Sequence, residues 1–416
     1  MSEFAEFHDE LRRVARDLLA GAGDERALCK AAVAAGWLGL EVPEEFGGAG
    51  AGSVESAIPL VEIGRAAAPT ALSTVLALSV PALLAAEPEP LRDSLLRDVV
   101  VGSALPVVVL EAEVEAEAGG VNASPDKERS AADGSVERSE PWNTQPPPNR
   151  RLAADGCRVE DRRRSEGSTQ GGEPRQLEVR RSGSGFSLAL TPDGPHLSGT
   201  ARFVLDAGAA DLLLIPARTD TGETVLTAVH PDLVTLRAVP LVDATRSAAS
   251  VTADHAPVRA VWQLRTPLDL PARAALAVAC DSLGIAEAML DATVAYVKIR
   301  EQFGRPVGSF QAVKHACADM LVQTTLTRHL VAAAVEAVND SAPDSALAVA
   351  RAKSYATSTA VRVAGKAVQL HGGYGYTWES GLHVHLKRAT LNRALYGSPT
   401  THRRTLAAHH TRDGLA

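Results

Sequence analysis

Two short stretches of this 416-residue chain set side chains in an order that could do chemistry. The first, Arg300-Glu-Gln-Phe-Gly-Arg-Pro-Val-Gly-Ser-Phe-Gln311, places a cation (Arg300), an aromatic ring (Phe303), a turn and an amide (Gln311) between two helical runs. The second, Gln369-Leu-His-Gly-Gly-Tyr-Gly-Tyr376, puts Gly372 and Gly373 between polar and aromatic side chains. Without a Cβ, the backbone there can approach a planar ligand closely. Taken singly, each residue also has a plainer reading: an arginine at a helix C-terminus is favoured by the dipole, and glycines cap helices. Other chemistries lack their signatures. No GxGxxG follows a strand, and neither a P-loop, an HExxH nor a GxSxG occurs. His371, His383 and His385 form no metal set, since His383 and His385 lie two apart and face differently on a helix; they read as solvent or interface residues. Cys29, Cys157, Cys280 and Cys317 are scattered without a CxxC or metal-ligand spacing, which predicts incidental thiols in a reducing compartment.

The elements that must position those stretches can be read from periodicity. Residues from about 4 to 105 read as helices with short breaks, and Leu72 to Leu84 is apolar on nearly every face, which predicts burial. From 112 to 183 the chain is rich in Ser, Gly, Glu, Arg and Pro and cannot bury enough apolar surface to offset its ordering entropy; a disordered insert is expected. Its arginines are interleaved with acids, so a solvated linker is expected there and not a nucleic-acid arm. Alternating or β-branched runs such as Leu212-Leu-Leu-Ile215 and Thr224-Val-Leu-Thr-Ala-Val229 then predict a compact β unit. From Leu270 onward three long helical runs are joined by short loops, which predicts an antiparallel bundle. The expected fold is mainly α with a β domain. It comprises an N-terminal helical domain (1–107), a middle β-barrel-like domain (108–265) and a C-terminal four-helix bundle (266–416).

Composition narrows the function classes. The net charge of −8 argues against general attraction to nucleic acid or an anionic membrane. No run approaches the roughly 18 uninterrupted apolar residues of a membrane helix. The N-terminus lacks the basic and apolar regions of a signal peptide, so a cytoplasmic protein is expected.

The two stretches, with Leu283-Gly-Ile-Ala-Glu-Ala-Met-Leu-Asp-Ala-Thr-Val-Ala-Tyr296 before them and the helical–β–helical order around them, resemble the acyl-CoA dehydrogenase family of flavoproteins. The resemblance covers most of the chain except the polar insert. It implies FAD as cofactor, with Arg300 on the pyrophosphate, Phe303 against the adenosine half and Gln311 on the diphosphate or ribose of a flavin shared with a neighbouring subunit. It likewise implies that Gln369, Gly372 and Gly373 cover adenine and pyrophosphate, and that Phe203 packs on the flavin ring. The implied reaction is α,β-desaturation of an acyl-CoA thioester. A carboxylate base takes the α-proton, and electrons pass on to an acceptor flavoprotein. A homo- or hetero-oligomer, a dimer of dimers, follows from the shared cofactor.

The sequence departs from the family at the base. Tyr396 stands where the usual glutamate would, and a phenol with pKa about 10 is only about 0.1% ionised at neutral pH. The alternative station on the first bundle helix is Ala274. Asp281, Glu287 and Glu379 are the other ionisable candidates. The middle-domain loop that lines flavin and substrate is missing, with only a faint echo at Glu117-Ala-Gly-Gly. Leu205 stands where a hydrogen-bonding side chain would face the flavin, and Lys387-Arg-Ala389 replaces the family's Arg-Asp-Ala. Three functions stay open at this point: an FAD-dependent dehydrogenase, a catalytically silent subunit of a hetero-oligomeric one, or a flavin-free acyl-CoA-binding tailoring protein.

Overall fold

A computed structural model describes residues 5–21, 24–112, 185–266 and 268–413. The polar insert from 113 onward, with Glu117 and Cys157, lies outside the described residues. The N-terminal part is helical: α1 (Ala5–Gly21), α2 (Glu25–Ala34) and α3 (Ser53–Ala66). Then α4 (Leu72–Thr74) runs through a π turn (Val75–Ser79) into α5 (Val80–Ala85), followed by α6 (Pro90–Val100). The uniformly apolar α4–α5 run is buried along almost its whole length, as its lack of a polar face requires.

The middle part is an eight-stranded sheet formed by β1 (Pro106–Val108), β2 (Phe186–Thr191), β3 (Gly194–Leu205), β4 (Leu212–Thr219), β5 (Thr224–Val229), β6 (Thr235–Ala238), β7 (Ala248–Pro257) and β8 (Ala260–Gln263). Its order is β6-β7-β3-β2-β4-β5-β8, with β1 pairing parallel to β4. The apolar runs of β4 and β5 are buried on both faces because each face meets a different core. Leu212, Leu214, Leu226 and Ala228 join the helical core, whereas Leu213, Ile215, Val225 and Val229 fill a second core on the opposite face.

The C-terminal part is helical again: α7 (Leu270–Ile299), α8 (Gln311–Asn339), α9 (Ser345–Leu370), α10 (Leu382–Ala394) and α11 (Pro399–Asp413). A two-stranded hairpin, β9 (Glu301–Gln302) with β10 (Arg305–Pro306), links α7 to α8. The observed order of helices, sheet and helical bundle matches the fold expected from the sequence.

The central α7 packs on α3, α8, α9 and α10. Its approach to α3 is set by two facing glycines. A Cβ at Gly284 would run into the Val61 carbonyl, and one at Gly64 into the Asp281 backbone. The helices meet backbone to backbone here, so no side-chain adjustment can make room. We expect Gly284→Ala to lower stability by about 1–3 kcal/mol despite its better helix propensity. Gly365→Ala in α9, where a Cβ would meet nothing within 4 Å, should be neutral or stabilising. Denaturant unfolding of the two variants checks the contrast.

Candidate functional site

The end of α7 makes the first half of the site. Arg300 caps the helix with extended backbone (ψ 124), and its exposed side chain forms no hydrogen bond or ion pair among the described residues. The β9–β10 hairpin then turns through Phe303 (φ +54) and Gly304 (φ +74), both left-handed. A left-handed phenylalanine is uncommon, and this one stands 91% exposed at the hairpin tip. It is held from behind by edge-to-face contact with Phe310, whose ring also carries Arg305 at 4.1 Å.

The end of α9 makes the second half. Gly372 takes φ +62, and neither it nor Gly373 has anything within 4 Å of a notional Cβ, so bare backbone faces open space. Beneath lies an aromatic stack in which Tyr296 sits on His371 (centroids 4.2 Å, 23°) and on Tyr374 (5.9 Å, 9°). His371 is therefore a buried structural residue whose Nδ1 donates to the Ala367 carbonyl at 2.7 Å, which corrects the expectation of a solvent or interface position. Arg300, Phe303, Gln369, Gly372 and Gly373 together line one open groove of about 740 Å³. Gln311 is exposed at the start of α8 and is not part of that lining. Phe203 is half-buried in a separate cluster with Leu205, Val278, Leu395 and Tyr396. The groove thus brings together five of the seven expected cofactor residues; Gln311 adjoins it beside the lining residue Phe310, and Phe203 lies in another cluster.

The two base stations do come together. Tyr396 and Ala274 line one small cavity with Leu205, Val278, Arg246 and Asp281, at the contact between α7 and the α4–α5 run. Its volume is about 20 Å³, room for a single water. Burial, reinforced by the charge of Asp206, pushes the Tyr396 phenol well above its ordinary range, the wrong direction for a base near neutrality.

The other candidates fail for different reasons. Asp281 is buried, and burial alone would raise its pKa, but the Arg388 and Arg246 guanidinium groups outweigh that and hold the carboxyl at about 2. Arg388 grips it with Nε at 3.1 Å and Nη2 at 2.6 Å, Arg246 approaches to 3.1 Å, and Asn392 donates at 2.6 Å. A carboxylate so saturated is an anchor and not a proton acceptor. Glu287 is tied to Arg328 at 2.8 Å and Glu379 is exposed on the surface. His385, expected at solvent or an interface, is half-buried with Nε2 3.1 Å from the Arg65 carbonyl. The sequence reading missed Arg246, Arg388 and Lys353. All three are cations on otherwise buried faces, and a charge at an apolar helical position was the available signal for Lys353 and Arg388. Arg246 lies in an irregular connection with no periodicity to betray it.

A relevant cofactor test is whether the groove offers what a dinucleotide needs. An unneutralised guanidinium, bare glycine backbone and an exposed ring share one concavity, which fits the diphosphate and adenosine end of FAD. The cavity at Tyr396, by contrast, has no room for a flavin ring or an acyl chain.

Comparison with known proteins agrees with this division of the chain. Residues 2–103 match the acyl-CoA dehydrogenase N-terminal domain, and residues 272–410 match the acyl-CoA dehydrogenase C-terminal domain. The acyl-CoA dehydrogenase IpdE2 of Mycolicibacterium smegmatis is 38% identical over 207 residues, half of this chain and 60% of that protein. The acyl-CoA dehydrogenase FadE34 of Mycobacterium tuberculosis is 34% identical over 208 residues, covering 49% of this chain and 28% of that protein. The matched region thus spans less than two thirds of either relative. Among solved structures, butyryl-CoA dehydrogenase from Megasphaera elsdenii superposes with a TM-score of 0.75 at 19% identity, over 99% of this chain and all of the other. The ChsE4–ChsE5 complex from Mycobacterium tuberculosis gives 0.73 at 22% identity, over 99% and 98%. At these identities the structures establish the shared fold.

The Asp281 cluster yields a pH prediction. Its folded pKa lies below the ordinary carboxylate value near 4, so its stabilisation is complete above that value and is lost as pH falls toward about 2. We expect Asp281→Asn to cost about 3–5 kcal/mol at pH 7, because Arg388 and Arg246 lose their buried counter-charge. The same variant should flatten the fall of stability between pH 4 and 2, as followed by denaturant unfolding at stepped pH.

Proposed function

Because this chain belongs to the acyl-CoA dehydrogenase family, we propose that it is the non-desaturating subunit of a hetero-oligomeric, FAD-dependent acyl-CoA dehydrogenase. In this reading it lends Arg300, Phe303, Gln369, Gly372 and Gly373 to the diphosphate and adenosine end of a flavin whose reacting ring lies against a partner chain. The observation that carries it is the contrast between the two concavities. The groove at Arg300 is open, whereas the cavity at Tyr396 and Ala274 admits one water and offers no free carboxylate.

The division of labour follows from what each residue can do. Arg300, with no acid paired to it among the described residues, supplies charge-assisted hydrogen bonds to phosphate oxygens. Gly372 and Gly373 let the phosphates come within reach of the backbone, and Phe303 covers the adenine face. FAD, once bound, supplies hydride acceptance, and the partner supplies the base. Tyr396 leaves this chain without a proton acceptor at the place where its family keeps one. The fold is shared with the ChsE4–ChsE5 complex, an assembly of two components, which supports a reading with unlike subunits.

The test is colour and bleaching. Expressed alone, the chain should purify colourless; co-expressed with a catalytic partner, the complex should be yellow and bleach on addition of an acyl-CoA. Arg300→Ala in this chain should weaken flavin retention by about tenfold to a hundredfold, the loss of one charge-assisted contact. Tyr396→Phe should leave turnover of the complex unchanged. A yellow protein that bleaches without any partner would overturn the proposal.

A further inference from the structure

Among the side chains lining the small cavity, Tyr396 stands on an unusual turn. Tyr396 takes φ +52 and Gly397 φ +91, so two successive residues are left-handed, a conformation a tyrosine tolerates poorly. A Cβ at 397 would press to 3.0 Å from Nε2 of His402. The turn is pinned at both ends, by Leu395 in the core and by Ser398, whose Oγ accepts from the Thr401 amide at 3.2 Å. On one side His402 Nε2 lies 3.0 Å from the Tyr396 carbonyl.

On the other side stands Lys353 of α9. Its Nζ donates to the carbonyls of Asn392 and Gly397, each at 3.1 Å. One carbonyl precedes Tyr396 and the other follows it. Lys353 is fully buried and forms no ion pair among the described residues. Burial alone pulls its ammonium down to about 7. A methionine of similar length would pack there without that desolvation cost, so the cation is a poor choice for core filling. What it offers instead is two directed donors, set at the carbonyl-rich end of α10, that bridge the turn.

We propose that Lys353 is a positioning residue whose paired contacts to the Asn392 and Gly397 carbonyls latch the Leu395–Ser398 turn, keeping the Tyr396 ring wedged beside Ala274 so that no acyl chain enters. The inference deepens the non-desaturating reading and rests on it for the identity of the slot.

Labelling the full chain with 3-fluorotyrosine tests it, because only five tyrosines are present and Tyr396→Phe assigns the relevant fluorine resonance. In Lys353→Met the Tyr396 resonance should broaden and move toward that of the exposed Tyr376, with the remaining tyrosines unmoved. Gly397→Ala should displace the same resonance from the opposite side of the turn. If Lys353→Met does not fold, Lys353→Gln, which keeps a polar group but is too short to bridge both carbonyls, is read in the same way. A Tyr396 resonance that stays put, or all five moving together as packing fails, overturns the latch. Octanoyl-CoA added to the unmutated chain separates the two ideas: a Tyr396 shift on binding would sink the closed slot yet leave Lys353 as the holder of the turn.

Discussion

The contact on which the rest of this chain depends is the buried grip of Arg388 on Asp281. Asp281 belongs to α7 and Arg388 to α10, but the guanidinium does not stop there. Its Nη1 also donates to the Ala68 carbonyl at 3.0 Å and to Thr245 Oγ1 at 2.9 Å. One side chain therefore ties the N-terminal helices, the sheet's connecting segment and the C-terminal bundle to a single point. Arg246 adds a second cation to the same carboxylate, and Asn392 closes the remaining oxygen. Such a cluster is not a source of net stability in proportion to its bond count, since two cations and an anion lose their water to form it. Its value is geometric: removal of any member leaves a buried charge, so the three regions can dock in only one way.

That constraint explains why the two ends of the bundle differ in packing. Near Asp281, helices are drawn together until α3 and α7 touch through Gly64 and Gly284, and the space at Ala274 shrinks to a single water. At the far end of α7 the packing is looser: among the described residues the Arg300 side chain has no hydrogen bond or ion pair, Phe303 is 91% exposed, and Gly372 and Gly373 face open space. An exposed ring on a left-handed residue beside an exposed guanidinium is unusual for a plain surface, and the proposed shared flavin would account for both.

Much of this was legible in the sequence, and the limits are physical. Helices and strands were readable because their burial pattern is periodic: the α4–α5 run had no polar face to show solvent, and β4 and β5 were apolar on both sides because each side meets a core. The groove residues were readable because they interrupt helices with glycine and aromatic residues at loop positions, where packing supplies no reason for them. Asp281 was visible as a charge on a buried helix but not its saturation, since its partners lie 107 and 111 residues away in Arg388 and Asn392. No local pattern encodes a contact of that range. Phe203 and Gln311 lie outside the groove's lining, and neither position could be read from local periodicity.

The position of Tyr396 shows what the surrounding charges allow at this turn. A carboxylate at 396 would need to stay ionised beside Asp206 and near Asp281, and the charge of Asp206 already opposes ionisation of the phenol there. Arg246 could offset this, but its Nη2 is already committed to Asp281 and Asn392. Tyrosine resolves the conflict by remaining neutral: it fills the volume, adds no charge and lets Arg246 stay with Asp281. A neutral side chain at 396 therefore fits both the small cavity it lines and the cluster at Asp281 beside it.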